Sequence, residues 1–367
     1  MPSSHMPGEV DGRADAPSKH LIGLQALRGA AALMVLLHHL VEEENAQLAQ
    51  RLIPHGLGVG WVGVDLFFVL SGFIIFTTAA KAKSGMPVAA AFFSARFFRV
   101  FPAYWVATSL QLLLVAVIGA GLSGEGGHNL VRSLFLLPQG ETQPILAAGW
   151  TLVHEILFYA IVGFLLILPK KFLAPGLFLW GASTIFAHIS GFSRSNDFAI
   201  TFYNPLNNEF LLGATIALIL QKFSRPKNGF PIIVGGTVLL LIGIFVFYAF
   251  NGFEAEASTA NWLRLALIGC PAGFIVAGVA SLSTNECKFI VPTGAWFGDF
   301  SYSLYLIQKP IIVVGALLAA KLPGIVENLV FLTVAPSLAV LVAFLLYHFV
   351  EKPTHKLGQR VSAFIRN

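Results

Sequence analysis

Charged side chains are scarce in this sequence. Asp, Glu, Lys and Arg together make up 11% of the 367 residues, whereas a soluble globular domain carries about 25%. Apolar residues make up 56% of the chain. Because so little charge cannot cover the surface of a soluble protein of this length, the composition excludes an ordinary soluble protein and predicts an integral membrane protein.

Cysteine is also scarce, since the chain has only Cys270 and Cys287. At the helical rise of about 1.5 Å per residue they would lie about 25 Å apart, which is too far for a disulfide. We therefore interpret both as structural side chains. We expect no bound metal and no nucleic acid partner.

Long apolar runs fill most of the chain. A membrane-spanning helix needs about 20 mostly apolar residues, so we predict an all-α fold, a polytopic integral membrane helix bundle of about 10 transmembrane helices. The transmembrane domain covers 21–350, between a flexible N-terminal tail (1–20) and a short basic C-terminal tail (351–367). The predicted spans are 21–41, 59–80, 101–120, 148–168, 172–191, 200–221, 230–250, 262–283, 300–320 and 326–349.

Basic residues are distributed unevenly between the predicted loops. Sixteen of the 23 Lys and Arg residues fall on one side of the bilayer and five on the other. Because basic loops stay in the cytoplasm, both termini are predicted to be cytoplasmic. A basic C-terminus on the same side as the N-terminus also requires an even number of spans.

Ionisable residues inside the predicted spans are unfavourable, because inserting each one near the bilayer centre costs about 2.5–3.5 kcal/mol of free energy. They either pair with one another for structural purposes or form a functional site, and the sequence leaves both interpretations open. The set comprises Arg28, His38, His39, Asp65, His154, Glu155, His188, Glu209 and Lys309.

Two of these residues share one face of the first span. Arg28 and His39 are eleven residues apart, which places them on the same side of a helix and about 16 Å apart along its axis. Asp65 in the second span and Glu155 in the fourth are predicted to enter the bilayer at about the depth of His39. A carboxylate beside an imidazole raises its basicity, so we predict His39 as a general base assisted by Asp65 or Glu155.

A basic cluster precedes the third span. Arg96 and Arg99 stand just before the aromatic pair Tyr104 and Trp105. One interpretation is ordinary anchoring at the cytoplasmic interface. The other is a phosphate site for a cytoplasmic nucleotide ligand, because guanidinium groups match phosphate geometry with two hydrogen bonds.

Six motifs follow one another between residues 24 and 353. They are Leu24-Gln25-Ala26-Leu27-Arg28-Gly29 with His39, 63–73, 96–102, Trp150-Thr151-Leu152 with Glu155 and Phe158-Tyr159, Ser301-Tyr302-Ser303-Leu304-Tyr305-Leu306, and Glu351-Lys352-Pro353. Each motif alone is weak, but in this joint order they resemble the acyltransferase 3 family of bacterial membrane O-acyltransferases, and its exopolysaccharide O-acetyltransferase branch in particular.

The resemblance implies an enzyme that moves an acyl group, in the first place acetyl, from cytoplasmic acyl-CoA to a hydroxyl of an extracytoplasmic or membrane-associated glycan. The expected partners are acetyl-CoA or another acyl-CoA, a polysaccharide or glycolipid acceptor, and the lipids of the bacterial inner membrane. The resemblance also implies that His39 is catalytic and that Glu155 belongs to the site. The donor is expected to be held by Arg28, Arg96 and Arg99.

Five further residues complete the expected site. Ser71 and Tyr104 are assigned to the donor, and Trp150, Tyr305 and Gln308 to the acceptor. One of them departs from the family, because Gln308-Lys309-Pro310 stands where members commonly have His-x-Pro. Since Gln cannot titrate, we expect this position to affect the choice of substrate.

Some alternatives remain open at this stage. A membrane transporter of a small polar or anionic solute is the runner-up, because intramembrane ionisable residues also mark transport pathways. The lack of a convincing two-fold repeat weakens it. The sequence also leaves open whether His39 or Glu155 takes the proton, and whether transfer is direct or passes through an acyl-histidine.

Overall fold

A computed structural model of the chain describes residues 19–48, 51–118, 129–140, 142–223, 226, 228–251, 262–282 and 292–366. These residues form fifteen α-helices and no strand, which confirms the all-α class. Residues 1–18 of the predicted N-terminal tail lie outside the described residues. In chain order the helices are α1 (Lys19–Gln47), α2 (Gly63–Lys81), α3 (Met86–Ile118), α4 (Leu130–Leu134), α5 (Gly149–Ile167), α6 (Leu173–Ile189), α7 (Asp197–Phe202), α8 (Asn207–Lys222), α9 (Phe230–Asn251), α10 (Trp262–Arg264), α11 (Cys270–Ala280), α12 (Pro292–Asp299), α13 (Ser301–Ala319), α14 (Ile325–Leu346) and α15 (Lys352–Arg366).

Nine helical segments in the described part of the chain are long and apolar enough to cross a membrane, which confirms a polytopic bundle. The predicted span 200–221 is instead divided into α7 and α8, because Pro205 interrupts the helix. The Asn207 side chain donates to the carbonyl oxygens of Thr201 and Phe202 and so closes the end of α7. With 16 residues, α8 is about 24 Å long, shorter than a bilayer core of about 30 Å.

The third span begins much earlier than the sequence predicted. α3 starts at Met86 rather than at residue 101, so Arg96 and Arg99 lie within the helix and not before it. The C-terminal residues 352–366 form α15, and α15 packs along α3, with Gly358 against Phe98. A π-helical turn at Tyr347–Glu351 joins α14 to α15.

Helix α2 lies at the centre of the bundle and packs most extensively against α8. A β-carbon on Gly72 would collide with the carbonyl oxygen of Phe210, so the two backbones are in direct contact. The ring of Phe210 stacks between Phe68 of α2 and Phe158 of α5, with centroid distances of 4.6 and 4.8 Å. These contacts hold α2, α5 and α8 together around the interior where the polar residues lie.

The segment before α2 runs alongside α1. Residues His55–Val62 form 3₁₀ turns, and Gly60 lies against the backbone of Met34 while Gly63 lies against Ala31. Since a 3₁₀ helix rises about 2 Å per residue, this segment descends well into the bundle before α2 begins. The start of α2 is therefore deeper than the outer half of α1.

Candidate functional site

A cavity of about 840 Å³ lies between α1, α2, α3, α5 and α13. Its walls combine apolar side chains, most of them from α2, with charged and hydroxyl groups from all five helices. The polar lining consists of Arg28, Ser71, Arg96, Arg99, Thr151, Glu155, Tyr159, Tyr302 and Tyr305.

Glu155 is the one carboxylate among the residues that line this cavity. Ser71 on α2 donates a hydrogen bond to Glu155 Oε1 at 2.9 Å, and the Tyr159 hydroxyl donates to the same oxygen. Tyr159 follows Glu155 by four residues, so both point from one face of α5. The carboxylate is thereby fixed in position, with Oε2 left for a further partner.

Three guanidinium groups face the same cavity. Arg96 lies over the rings of Phe92 and Tyr159, with its Cζ 5.3 and 5.4 Å from the centroids. Within the described residues, Arg28 and Arg99 form no hydrogen bond and no ion pair. Three cations against one carboxylate give the cavity a net positive charge, which suits an anionic ligand with phosphate groups.

Two tyrosines of α13 form the wall opposite α5. The Tyr302 hydroxyl donates to the carbonyl oxygen of Val100 at 2.9 Å, and the Tyr305 hydroxyl bonds Thr151 Oγ1 at 2.7 Å. Tyr305 also contacts Phe67 edge to face, with centroids 5.9 Å apart. These contacts hold α13 against α2, α3 and α5 and fix the shape of the cavity.

His39 lies in a separate cluster towards the other end of α1. Its Nδ1 is 2.9 Å from Glu42 Oε2, and Lys309 Nζ donates to Glu42 Oε1 at 2.9 Å. When Nδ1 carries the proton and donates to Glu42, Nε2 has a free lone pair and can accept a proton. A carboxylate in this position can stabilise an imidazolium, as it does in enzymes with a histidine base.

The same cluster includes His38, whose Nδ1 lies 2.7 Å from the carbonyl oxygen of Gly58. Ligand atoms of His38, His39 and Glu42 lie within 4.8 Å of one another, close enough to hold a metal ion. The Lys309 ammonium competes for the same carboxylate. That the protein binds no metal stays a prediction.

Asp65 requires a correction, because it does not lie beside His39. Arg264 donates to Asp65 from Nε at 2.9 Å and from Nη2 at 2.8 Å, and neither side chain has exposed surface. The Arg264 guanidinium also lies 4.6 Å from the Trp61 ring centroid. The physical reason is the 3₁₀ segment before α2, which carries Asp65 deeper than the level of His39. We therefore interpret Asp65 as part of a structural ion pair.

Three other predicted site residues also lie outside the cavity lining. The buried Tyr104 donates its hydroxyl to the carbonyl oxygen of Ser133 at 2.7 Å. Trp150 packs edge to face against Phe68. Gln308 is fully buried, and its amide atoms have no hydrogen-bond partner within the described residues.

The cavity thus brings six of the predicted residues together and leaves five elsewhere. Their roles in donor binding or catalysis stay predictions. Those that line the cavity are Arg28, Ser71, Arg96, Arg99, Glu155 and Tyr305, and those outside it are His39, Asp65, Tyr104, Trp150 and Gln308.

Sequence reasoning missed two partners that helical spacing could have revealed. Glu42 follows His39 by three residues and Tyr159 follows Glu155 by four, which are the spacings of neighbours on one helix face. Lys309 and Arg264 come from distant parts of the chain, and no local pattern identifies their partners.

Comparison with known proteins identifies the family. A family model described as an acyltransferase domain, acyltransferase 3, matches residues 21–348. The chain belongs to this family. It is therefore a membrane acyltransferase, and the transporter alternative gives way to the enzyme. No solved structure matches this acyltransferase.

Curated relatives cover most of the acyltransferase. "Exopolysaccharide production protein ExoZ" of Rhizobium meliloti (strain 1021) is 33% identical over 264 residues, or 69% of this chain and 76% of ExoZ. "Putative O-acetyltransferase SACOL0978" of Staphylococcus aureus (strain COL) is 27% identical over 382 residues, or 93% of this chain and 58% of that protein. "Putative membrane-bound transacylase BcsY" of Komagataeibacter xylinus is 24% identical over 381 residues, or 96% of this chain and 87% of BcsY. This chain thus spans little more than half the length of the Staphylococcus relative.

Proposed function

We propose that this acyltransferase moves an acetyl group from cytoplasmic acetyl-CoA to a hydroxyl of an extracytoplasmic or membrane-associated glycan. The observation that carries the proposal is the cavity in which Arg28, Arg96 and Arg99 surround a single carboxylate, Glu155. A positively charged cavity inside a membrane bundle costs free energy unless an anionic ligand uses it. Acyl-CoA is such a ligand, because it carries a diphosphate and a third phosphate.

The printed names of the relatives support the choice of acyl group and acceptor. ExoZ is named for exopolysaccharide production and the Staphylococcus relative as an O-acetyltransferase. We assign acetyl transfer to a polysaccharide or glycolipid hydroxyl by similarity to them. The same similarity supports the bacterial inner membrane, and the distribution of basic residues supports cytoplasmic termini. Cytoplasmic termini require an even number of spans, so α7 and α8 together form a tenth crossing beside the nine long helices of the described residues.

The donor reaches across part of the bilayer while its nucleotide stays near the cytoplasm. Arg28 and His39 are separated by eleven residues of α1, which is about 16 Å. With its phosphates at Arg28, Arg96 and Arg99, the extended pantetheine arm points along α1 towards His39. The thioester and the acceptor hydroxyl then meet in the outer half of the bundle.

His39 supplies the base. Its Nε2 takes the proton from the acceptor hydroxyl as the oxygen attacks the thioester carbonyl, and Glu42 stabilises the imidazolium. The carbon–sulfur bond breaks, the CoA thiolate takes that proton, and the products are an O-acetyl ester and CoA. In the covalent version, Nε2 attacks first and an acyl-histidine passes the acetyl group to the hydroxyl.

The test is release of CoA thiol from acetyl-CoA by the purified protein in nanodiscs, with a mixture of bacterial polysaccharide fragments as acceptor. We expect acceptor-stimulated release by the wild type and its loss in His39→Ala. His188→Ala is the matched control, because His188 is exposed on α6 and far from the cluster in sequence, and it should keep full activity.

Binding of acetyl-CoA is measured on the same samples by calorimetry. Binding that persists in His39→Ala while turnover is lost supports a catalytic role for this residue rather than a structural one. If folded wild-type protein neither binds acetyl-CoA nor releases CoA, acyl-CoA is not the donor and the proposal fails.

A further inference from the structure

A second cavity lies beneath the C-terminal helix. It measures about 680 Å³ and is enclosed by α1, α3, α12, the π-helical turn and α15. We call it the vestibule, and define it by its lining residues. They are Gln25, Arg28, Arg99, Asp299, Tyr347, Glu351, Lys352, His355, Lys356 and Gln359.

The vestibule adjoins the three-arginine cavity. Arg28 and Arg99 line both, so the two spaces meet at these guanidinium groups. Beyond the junction on one side lie Glu155 and Tyr305, and on the other side lies α15. A long ligand whose middle carries negative charge would therefore extend in both directions from Arg28 and Arg99.

Positive charge dominates the far side of the vestibule. Lys352 and Lys356 are one helical turn apart on α15 and project from one face. The two acidic lining residues are held in place, because Ser303 donates to Glu351 at 2.6 Å and Gln25 donates to Asp299 at 3.1 Å. Neither lysine forms an ion pair within the described residues, so both are available for an anion from outside the chain.

Two further features, one in the π-helical turn and one in α15, fit a nucleotide. Tyr347 presents an aromatic ring to the cavity, with Lys352 Nζ 5.9 Å from its centroid. His355 has a buried Nδ1 without a hydrogen-bond partner in the described residues. The π-helical turn beside them is a local irregularity of a kind that often marks functional sites.

We propose that the vestibule binds the nucleotide end of the acyl-CoA donor. Arg28 and Arg99 bind the diphosphate at the junction, and Lys352 and Lys356 bind the 3′-phosphate of the ribose. This order follows the donor from thioester to nucleotide, since its pantetheine arm occupies the three-arginine cavity. The inference rests on the proposed function and adds to it the residues that recognise the donor's far end.

An anionic phospholipid headgroup has similar phosphate chemistry, but the vestibule suits it less. Its lining is polar or charged almost throughout, whereas a lipid also needs an apolar groove for its acyl chains. We therefore assign the vestibule to the nucleotide.

The experiment compares CoA with dephospho-CoA, which lacks only the 3′-phosphate. Calorimetric titration uses the full chain in nanodiscs of neutral lipid. We expect the wild type to bind CoA about ten-fold more tightly or better, since each factor of ten is about 1.4 kcal/mol and a charge-assisted hydrogen bond contributes that much. Lys352→Gln and Lys356→Gln should each reduce this preference, and the double variant should bind both ligands about equally.

Two controls test whether the effect belongs to the vestibule. Arg366→Gln removes a positive charge from the same helix about 15 Å beyond Lys356 and should keep the wild-type preference. Lys356→Arg keeps the positive charge and should retain most of the preference for CoA over dephospho-CoA. A general loss of fold would lower the affinity for both ligands and would not change their ratio.

Three outcomes overturn the inference. If the wild type binds CoA and dephospho-CoA equally, or if the lysine variants keep the wild-type preference, the lysines do not bind the 3′-phosphate, while the proposed function stands. If the variants keep that preference but lose retention of an anionic lipid in mixed nanodiscs, the vestibule is a lipid site. If the folded wild type binds neither ligand, the proposed function fails as well.

Discussion

Arg264 holds Asp65 through two hydrogen bonds, from Nε at 2.9 Å and from Nη2 at 2.8 Å, at a point where neither side chain is exposed. Glu209 is buried beside this pair and interacts with both Asp65 and Arg264. The Arg264 guanidinium thus lies between two buried carboxyl groups, and it ties α10 to α2 and α8 in the interior of the bundle.

Removing that arginine should strongly destabilise the protein. Arg264→Met leaves Asp65 and Glu209 without a cation, and breaking a buried pair in this way costs about 3–5 kcal/mol. We expect a clearly lower melting temperature in detergent, followed by tryptophan fluorescence. Arg132→Met is the control, because its bridge to Asp197 is 45% and 49% exposed and such surface pairs contribute about 0–1 kcal/mol. Equal melting temperatures for the two variants would contradict the structural role of Arg264.

The crossing of α2 and α8 should not tolerate larger residues. β-Carbons on Gly72 and Gly213 would collide with the carbonyl oxygens of Phe210 and Val69, and membrane helices approach this closely only through small residues. We expect Gly72→Val or Gly213→Val to lower the yield of folded protein in size-exclusion chromatography. Gly235→Ala on α9 meets no atom within 4 Å and should behave like wild type. A normal yield of Gly72→Val would mean that α2 and α8 can separate without loss of fold.

The fold could be predicted largely from composition and apolar runs, since a bilayer leaves few alternatives to a helix bundle. The exceptions have local causes. Pro205 divides the predicted span 200–221 into two helices, and α8 stays buried although it is short for a span. Arg96 and Arg99 interrupt the apolar run before Phe101, so the predicted span starts too late; α3 begins at Met86, and α15 packs along it.

The site could be predicted only in part, because its side chains come from distant helices. The sequence grouped Arg96 and Arg99 as one basic cluster, and both line one cavity, but they do so from within α3 rather than from before it. Depth along the bilayer was harder to judge, because the 3₁₀ turns before α2 shift Asp65 away from His39. The partners of Asp65 and Glu42 are Arg264 and Lys309, and only the packing of helices decides such pairs.

The carboxylate of the cavity should be needed for turnover but not for donor binding. Glu155→Gln removes the negative charge among Arg28, Arg96 and Arg99, so we expect acetyl-CoA to bind equally or more tightly. Turnover should fall by about 10²-fold, the scale of a lost acid–base or positioning group. Calorimetry and thiol release on the same preparation measure the two quantities.

Two further variants test the hydrogen bonds of Glu155 and the positive charge of the cavity separately. Tyr159→Phe removes one donor to Glu155 and keeps its charge, so it should change donor affinity little. Arg99→Gln removes a cation of the cavity and should weaken donor binding by about ten-fold, the scale of one charge-assisted hydrogen bond. Weaker acetyl-CoA binding in Glu155→Gln would contradict this account and would place the carboxylate in direct contact with the donor.

Glu42 should matter for catalysis without affecting the donor. Its carboxylate lies between His39 Nδ1 and Lys309 Nζ, each at 2.9 Å, so Glu42→Gln keeps the size of the side chain but removes the charge that stabilises the His39 imidazolium. We expect kcat to fall by about 10²-fold with unchanged affinity for acetyl-CoA, because the phosphate site at Arg28 is about 21 Å away along α1. Glu43→Gln makes the same charge change one residue further along and should cost much less. If Glu42→Gln keeps full turnover, His39 does not act through this carboxylate, and Glu155 becomes the better candidate for the base.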